Sequence, residues 1–444
     1  MNALSTTADA RSVRSSREMS GLGADSLLGS TVLEWTSAAA RVDGDPARSF
    51  EDRAAQAVNA PRVWVLASPR AGEQTQLLAL AKALGQPYTL KQVVYRPLGV
   101  VPGSVGHEGL VGVDRERSDA LTGPWPDLVL LAHHSNEGVA RWIRRQSGGR
   151  TRIVLLGRPW SSVKSFDLVI TTPQYNLPEA QNVLLNPLPL HQVSAERLAA
   201  AAAEWGPRLA HLPRPFVTVL VGGSSGPYIL DAAAAARLGR EASGLARELG
   251  GSVLVTTSAR TPAEVADALF AAIDAPAYLH RWSRGSQDNP YFGFIGLADR
   301  IVVTADSISM IAEACASGRP VQLFDFGGGP LAMREGSTGA PGTLAHRLLA
   351  RFYALCMRLP KGRFNRTRDL RIVHRALLAA GRVSWLGEPL PQNSLRLAGN
   401  ELTRTVNRLR DLLRDQAAPV RLPRPLEHGP SATMPVGDLA AAAF

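Results

Sequence analysis

The stretch Ile301–Val321 reads IVVTADSISMIAEACASGRPV, and its pattern decides the fold. Its β-branched opening, Ile301-Val302-Val303, predicts a buried strand. Asp306, Ser307 and Ser309 follow, all residues favoured at helix N-termini. Met310–Ser317 is helix-forming, Gly318 supplies the stop, and Pro320 forbids continuation. Val321-Gln322-Leu323-Phe324 then opens the next strand. This is a strand–helix–strand unit of a parallel sheet. At the carboxyl end of its first strand, free backbone N–H groups and hydroxyls can hold a phosphate. Glu313 lies four residues after Ser309 and shares its helix face. Phosphates on the helix start and ribose hydroxyls on Glu313 would suit a nucleotide. An ordinary capped βαβ unit carries the same residue types, so the surrounding chain has to decide between the two.

Working back from this stretch, a full α/β series precedes it. Phe216–Val221 reads as a strand, Asp231–Leu249 as a helix, Ser252–Thr256 as a strand, Thr261–Ile273 as a helix and Tyr278–His280 as a short strand. Gly222-Gly223-Ser224 follows the first of these strands. Glycines there let backbone approach a ligand and cradle phosphate, or simply make a tight turn. Gly222–Gly226 also matches the G-x-S-x-G elbow of α/β-hydrolases, but Pro227 disfavours an immediate helix and no Asp-then-His pair stands out downstream. Ser258 and Arg260 end the second strand, where an arginine can grip phosphate or face solvent. Asn289 and Tyr291, in the loop before the opening stretch, are placed to hold or stack on a base, or to make a turn before a core tyrosine.

An earlier series begins at Pro61. Strands are expected at Arg62–Ala67, Thr89–Tyr95, Asp127–Ala132, Ile153–Leu156, Asp167–Thr171 and Asn182–Leu185, with helices at Gln74–Leu84 and Glu137–Gln146. Such alternation means a parallel, doubly wound sheet. Pro213-Arg214-Pro215 reads as a linker between the two series. The expected organisation is a tail with helical potential over 1–59, an N-terminal Rossmann-like domain over 60–212, a nucleotide-binding Rossmann-like domain over 213–390, a terminal helix over 391–416 and a disordered tail over 417–444. The fold class is α/β: two doubly wound parallel-sheet domains facing a cleft, with C-terminal helices. Arg70, Gly72 and His191 are the cleft candidates from the first domain. His133 and His134 have no further ligands at metal-binding spacing, and no metal site is expected.

Composition narrows the class. Two cysteines, Cys315 and Cys356, make no disulfide framework or zinc motif, and a reducing cytoplasm fits. No apolar run is long enough to span a bilayer. Residues 341–430 hold seventeen Lys and Arg against six Asp and Glu, an excess equal to the whole net charge of +11. The remainder is near neutral, and no nucleic-acid partner is expected. Arg368, Arg371 and Arg375 share a helix face whose other side is apolar, a segment suited to anionic lipid, an acidic partner or plain solvation.

Asn289-Pro290-Tyr291, Ala298-Asp299, Val303–Met310, Glu313-Ala314 and Gly318–Val321 together resemble the mitochondrial-fission "elongated mitochondria" family, whose bacterial members are described as nucleoside-diphosphate-sugar epimerases. The resemblance runs from about Arg62 to Phe326. It implies a GT-B-like fold and a nucleoside diphosphate-sugar ligand of UDP or GDP type, with no other cofactor. The second domain would bind that ligand through Gly222, Gly223, Ser224, Ser258, Arg260, Asn289, Tyr291, Asp306, Ser307, Ser309, Met310 and Glu313. Ser307 and Ser309 would contact diphosphate and Glu313 the ribose. The family's Gly-Lys-Pro-Gly-His-type loop is Ser68-Pro69-Arg70-Ala71-Gly72-Glu73 here, without the histidine, and Ala259 replaces a second arginine. No catalytic base is assigned. The expected function is a glycosyltransferase or epimerase; the alternative is a non-catalytic adaptor that recruits a partner at a membrane surface. Either would be cytoplasmic, with peripheral membrane contact through the basic C-terminal region.

Overall fold

Apolar runs make the central strands. β1 (Val63–Leu66) and β3 (Leu128–Leu131) are buried at every position, as parallel strands covered on both faces must be. The structure is a computed structural model and describes residues 60–96, 108–286, 288–327, 331–334, 344–358, 367–390 and 400–417. The helical potential read over 24–59 and the tail beyond 417 lie outside the described residues.

β1 and β3 join β2 (Tyr88–Lys91), β4 (Arg152–Leu156), β5 (Leu168–Thr171) and β6 (Val183–Leu185) in a six-stranded parallel sheet of order β2-β1-β3-β4-β5-β6. A second six-stranded parallel sheet contains β7 (Phe216–Leu220), β8 (Ser252–Thr256), β9 (Ala277–His280), β10 (Arg300–Thr304), β11 (Val321–Phe324) and β12 (Val383–Trp385). Its order is β12-β11-β10-β7-β8-β9. Counted within the sheet, that is the doubly wound Rossmann order, and the strand order reverses between β7 and β10. Ile301 of β10 pairs with Thr218 of β7 on one side and Val321 of β11 on the other.

The helices are α1 (Ala71–Leu84), α2 (Glu137–Gln146), α3 (Ala195–Leu209), α4 (Ala232–Glu248), α5 (Ala263–Ala271), α6 (Tyr291–Leu297), α7 (Ile308–Ala316), α8 (Leu344–Arg358), α9 (Arg371–Ala379) and α10 (Asn400–Ala417). The strand expected at Thr89–Tyr95 ends at Lys91, and three further features depart from the sequence reading. Helix α1 begins at Ala71, so half of the expected 68–73 turn is helical. Helix α3 was not anticipated, although Ser194 caps it by accepting from Arg197 N–H at 3.2 Å. The three-residue β12 was also missed, being too short to show a period.

Alternation along β1 feeds two cores. Val63 and Val65 pack with Leu77 and Leu80 of α1, while Trp64 and Leu66 pack with Val139 and Ile143 of α2. The last helix returns to the first sheet: Val406 and Leu409 of α10 belong to the core under α1. Arg404 adds a bond to Asn186 Oδ1 at 2.7 Å. The carboxyl edges of the two sheets meet within one compact unit. A Cβ placed on Gly72 would stand 3.6 Å from Ser309 Oγ. Beyond β5, Gln174 O accepts from Asp369 N–H at 2.9 Å, and Arg158 donates to Thr367 O at 3.1 Å.

Candidate functional site

The site grows from the point where the second sheet reverses its strand order. β7 ends in Gly222-Gly223 and β10 ends in Ala305-Asp306-Ser307. Gly222 N–H donates to Thr304 Oγ1 at 2.8 Å, which fixes the two strand ends side by side. Gly222 O accepts from Thr261 Oγ1 at 3.1 Å and from the Ser258 hydroxyl. Both glycines are required by close approach. A Cβ on Gly222 would lie 2.6 Å from Asp306 Oδ2, and one on Gly223, whose φ is +123°, would lie 2.3 Å from Arg260 O.

Asp306 is fully buried at its side chain and pairs with Arg260 Nη1 at 2.8 Å. Burial raises its carboxyl above the ordinary range, and the Arg260 guanidinium opposes that rise. Sequence reasoning grouped Asp306 with helix-capping residues and Arg260 with phosphate grips, and it did not foresee their pairing. Ser307 is the N-cap of α7, yet its side chain makes no capping bond. Ser309 sits half-buried in the first turn of α7, facing Gly72 of α1. Ser224 Oγ accepts from Leu230 N–H at 3.2 Å inside the closed 222–230 loop. Helix α4 starts eight residues after Ser224, so this is no strand–turn–helix elbow.

One turn into α7, the nearly buried Glu313 accepts a hydrogen bond from the Tyr291 hydroxyl. Burial pushes the Glu313 carboxyl up to about 7, against the lowering pull of the Tyr291 bond and the Arg197 charge. Tyr291 in turn is raised well above its usual range by burial and by Glu313. Arg197, on the unanticipated α3, also lies over the Phe292 ring at 3.9 Å. Asn289 is exposed and closes the turn before α6 by accepting from Tyr291 N–H at 3.1 Å. Met310 is half-buried and packs against the core of the second sheet. Gly222, Ser258, Arg260, Asp306 and the start of α7 thus form one cluster, and Tyr291 with Glu313 forms a second on α6 and α7.

A residue that sequence reasoning missed supports the cluster from behind. His374 of α9 is fully buried and bonds Ala305 O through Nε2 at 2.8 Å. Burial pushes it down to about 4, so at neutral pH it is uncharged and donates from Nε2. Nothing in the α9 sequence distinguishes a histidine aimed at another element from an ordinary surface histidine.

The facing edge of the first sheet is closed on itself. Arg70 is exposed and pairs with Glu73 at 3.2 Å, and Ser68 Oγ donates to Glu73 Oε2 at 2.7 Å. Asn136 Nδ2 donates to Ala67 O at 3.0 Å, joining the ends of β1 and β3. His133 is pushed down to about 4 by burial and by the Arg70 charge. His191 lies apart from the cluster: its Nδ1 accepts from Val193 N–H at 3.3 Å, and its charged neighbour is Glu401 of α10. Among the described residues, no three His, Cys, Asp or Glu side chains gather as a metal site.

The family described as Mitochondrial fission ELM1 matches residues 71–337. The chain is 30% identical over 221 residues to "Mitochondrial fission protein ELM1" of Arabidopsis thaliana, which covers 45% of this chain and 51% of the relative. It thus spans about half the length of that relative. It is 22% identical over 295 residues to "Uncharacterized protein RP120" of Rickettsia prowazekii strain Madrid E, covering 59% of this chain and 82% of that protein. A glycosyltransferase from Rickettsia africae aligns in structure at 10% identity and a TM-score of 0.42, covering 81% of this chain and all of that one. UDP-GlcNAc 2-epimerase from Neisseria meningitidis, bound to UDP-GlcNAc, aligns at 9% identity and a TM-score of 0.40, covering 79% and 99%. At those scores neither likeness bears on ligand or chemistry.

Proposed function

The chain belongs to the Mitochondrial fission ELM1 family, and from that premise we propose that it binds a nucleoside diphosphate-sugar at the strand-order reversal of its second sheet. The diphosphate lies over Gly222-Gly223 and the start of α7, and the ribose lies beside Glu313. One observation carries this reading. Ser307 occupies the N-cap of α7 without using its hydroxyl as a cap, at the crevice where doubly wound sheets bind ligands. A structural cap would bond its own helix; this one does not, and in this reading its hydroxyl and the first amides of α7 serve the diphosphate. Glu313 has one carboxylate oxygen on Tyr291, and in this reading the other accepts from the ribose hydroxyls.

The chemistry we favour is sugar transfer or epimerisation, with the acceptor side formed by the first sheet around Arg70 and Gly72. A second reading, an adaptor that binds nucleotide without turnover, is favoured by the 68–73 loop. Its Ser68, Arg70 and Glu73 bond one another, and no histidine stands among them. In either case the protein works from the cytoplasmic side, with peripheral contact to a membrane or an acidic partner. The basic face expected at Arg368–Arg375 is a poor support for that contact. Arg368 donates to Ser225, and Arg371 pairs with Asp369 at 2.8 Å.

A thermal-shift screen of UDP, GDP and their sugars against the parent and Glu313→Ala tests the binding reading. One nucleotide family is expected to raise the melting temperature of the parent and not of the variant. No shift with any of them sinks the proposal. Release of free nucleotide from the matching sugar donor then separates enzyme from adaptor.

A further inference from the structure

Helix α8 has two faces of unequal fate. Ala350, Tyr353 and Met357 turn toward the second sheet and pack against its core. Tyr353 also anchors the helix, since its hydroxyl accepts from Arg368 N–H at 2.8 Å. On the other side stand Leu348, Leu349, Phe352 and Leu355, each more than half exposed, with Phe352 highest at 65%. Positions 348, 352 and 355 fall in one stripe at helical spacing, and 349 adjoins it. Four of the nine exposed large apolar side chains among the described residues therefore lie on one face of one helix. Scattered exposed leucines need no explanation, but a contiguous stripe does.

Charge indicates what covers it. Arg351 is exposed beside the stripe. In the sequence, Arg347 and Arg358 stand four residues before and seven after Arg351, a spacing of nearly whole helical turns. From 336 to 368 the sequence holds seven Lys and Arg and no Asp or Glu in 33 residues. A protein partner is normally met by an apolar core depleted in charge inside a polar rim. Basic residues without acids in the sequence around a Leu and Phe stripe are the pattern of a helix lying in the plane of a lipid interface. No helix among the described residues is long and apolar enough to cross a membrane, so contact through α8 would be peripheral. We propose that the Leu348–Leu349–Phe352–Leu355 face of α8 inserts into the headgroup region of an anionic membrane, with the flanking arginines on lipid phosphates.

Co-sedimentation of the full chain with vesicles tests this, using phosphatidylcholine alone and phosphatidylcholine mixed with phosphatidylglycerol. The parent is expected to sediment with the anionic vesicles, and to be released by salt. Phe352→Ser with Leu355→Ser is expected to weaken partition by about tenfold or more, because both apolar anchors are lost. Its melting temperature should match the parent, since neither side chain is in the core. Arg351→Glu is expected to weaken binding to anionic vesicles several-fold and to leave the weak binding to neutral ones unchanged. The proposal is overturned if the parent stays in the supernatant with both vesicles, or if both variants sediment like the parent. A parent that is dimeric by sedimentation velocity and monomeric as the double variant would give the face to a second copy, and would overturn it too. Should the double variant unfold, the parent's salt dependence and the Arg351→Glu arm decide.

Discussion

Glu313 is the residue at which stability and the proposed binding meet. An ordinary glutamate titrates near 4.5, whereas burial holds Glu313 near 7. Between those values the unfolded chain has released a proton that the folded chain keeps. Rising pH therefore favours unfolding across that window, and the loss is complete above about pH 7. The expected size is about 3 kcal/mol. Urea denaturation at pH 5 and pH 8 should show Glu313→Gln gaining stability over the parent at the higher pH and little at the lower. A parallel pH dependence in parent and variant would mean that Glu313 is not the group responsible. A buried, destabilising carboxylate kept beside Tyr291 is understandable if a ligand supplies the hydroxyls that favour its ionised form. The position of Glu313 was legible in the sequence, because a spacing of four from Ser309 fixes the helix face. The Asp306–Arg260 pair and the Arg197 charge were not, because they join side chains from separate elements, and local spacing carries no information about that.

At the scale of elements, the strand–helix–strand reading of Ile301–Val321 matches β10, α7 and β11 within a few residues. Its signals are local: β-branched residues, hydroxyls before a helix, and glycine then proline after it. Helix α3 had a local signal too, a capping serine before an alanine-rich run, which the eye passed over. What holds β10 in place is not local. His374 reaches from α9 to Ala305 O, and its removal leaves a buried carbonyl without its partner. His374→Ala is expected to destabilise by about 2–4 kcal/mol, from the lost bond and the cavity together. The pH signature runs opposite to that of Glu313. With His374 held near 4 against an ordinary 6.5, the unfolded chain binds the extra proton. Stability then falls as pH drops from about 6.5 to 4, and His374→Gln should lose that fall while keeping a donor. If the parent and His374→Gln lose stability equally over that window, another group carries the titration. Because the two effects oppose each other between about pH 4.5 and 6.5, the parent alone does not resolve them, and each variant does.

For the whole molecule, two sheets and one crossing helix determine where the proposed ligand would lie. The carboxyl edges face each other, Gly72 lies against Ser309, and α10 ties the end of the chain back to the first sheet. Alternation of strands and helices made the two sheets readable from sequence. The return of α10 was not readable, since an amphipathic helix does not declare which sheet it will cover. The opposed edges also separate the two functional readings: the second sheet carries the proposed binding residues, and the facing edge of the first is closed by its own side chains. The proposed site for a nucleoside diphosphate lies between the Gly222 loop and the start of α7. Calorimetric titration of UDP and GDP into the full chain, the Ser307→Ala/Ser309→Ala double variant and Glu313→Ala tests it directly. One nucleotide should bind the parent, and both variants should bind it about tenfold or more weakly, as expected when hydrogen bonds to charged groups are lost. Binding of equal strength in all three proteins, or none in the parent, would contradict the claim.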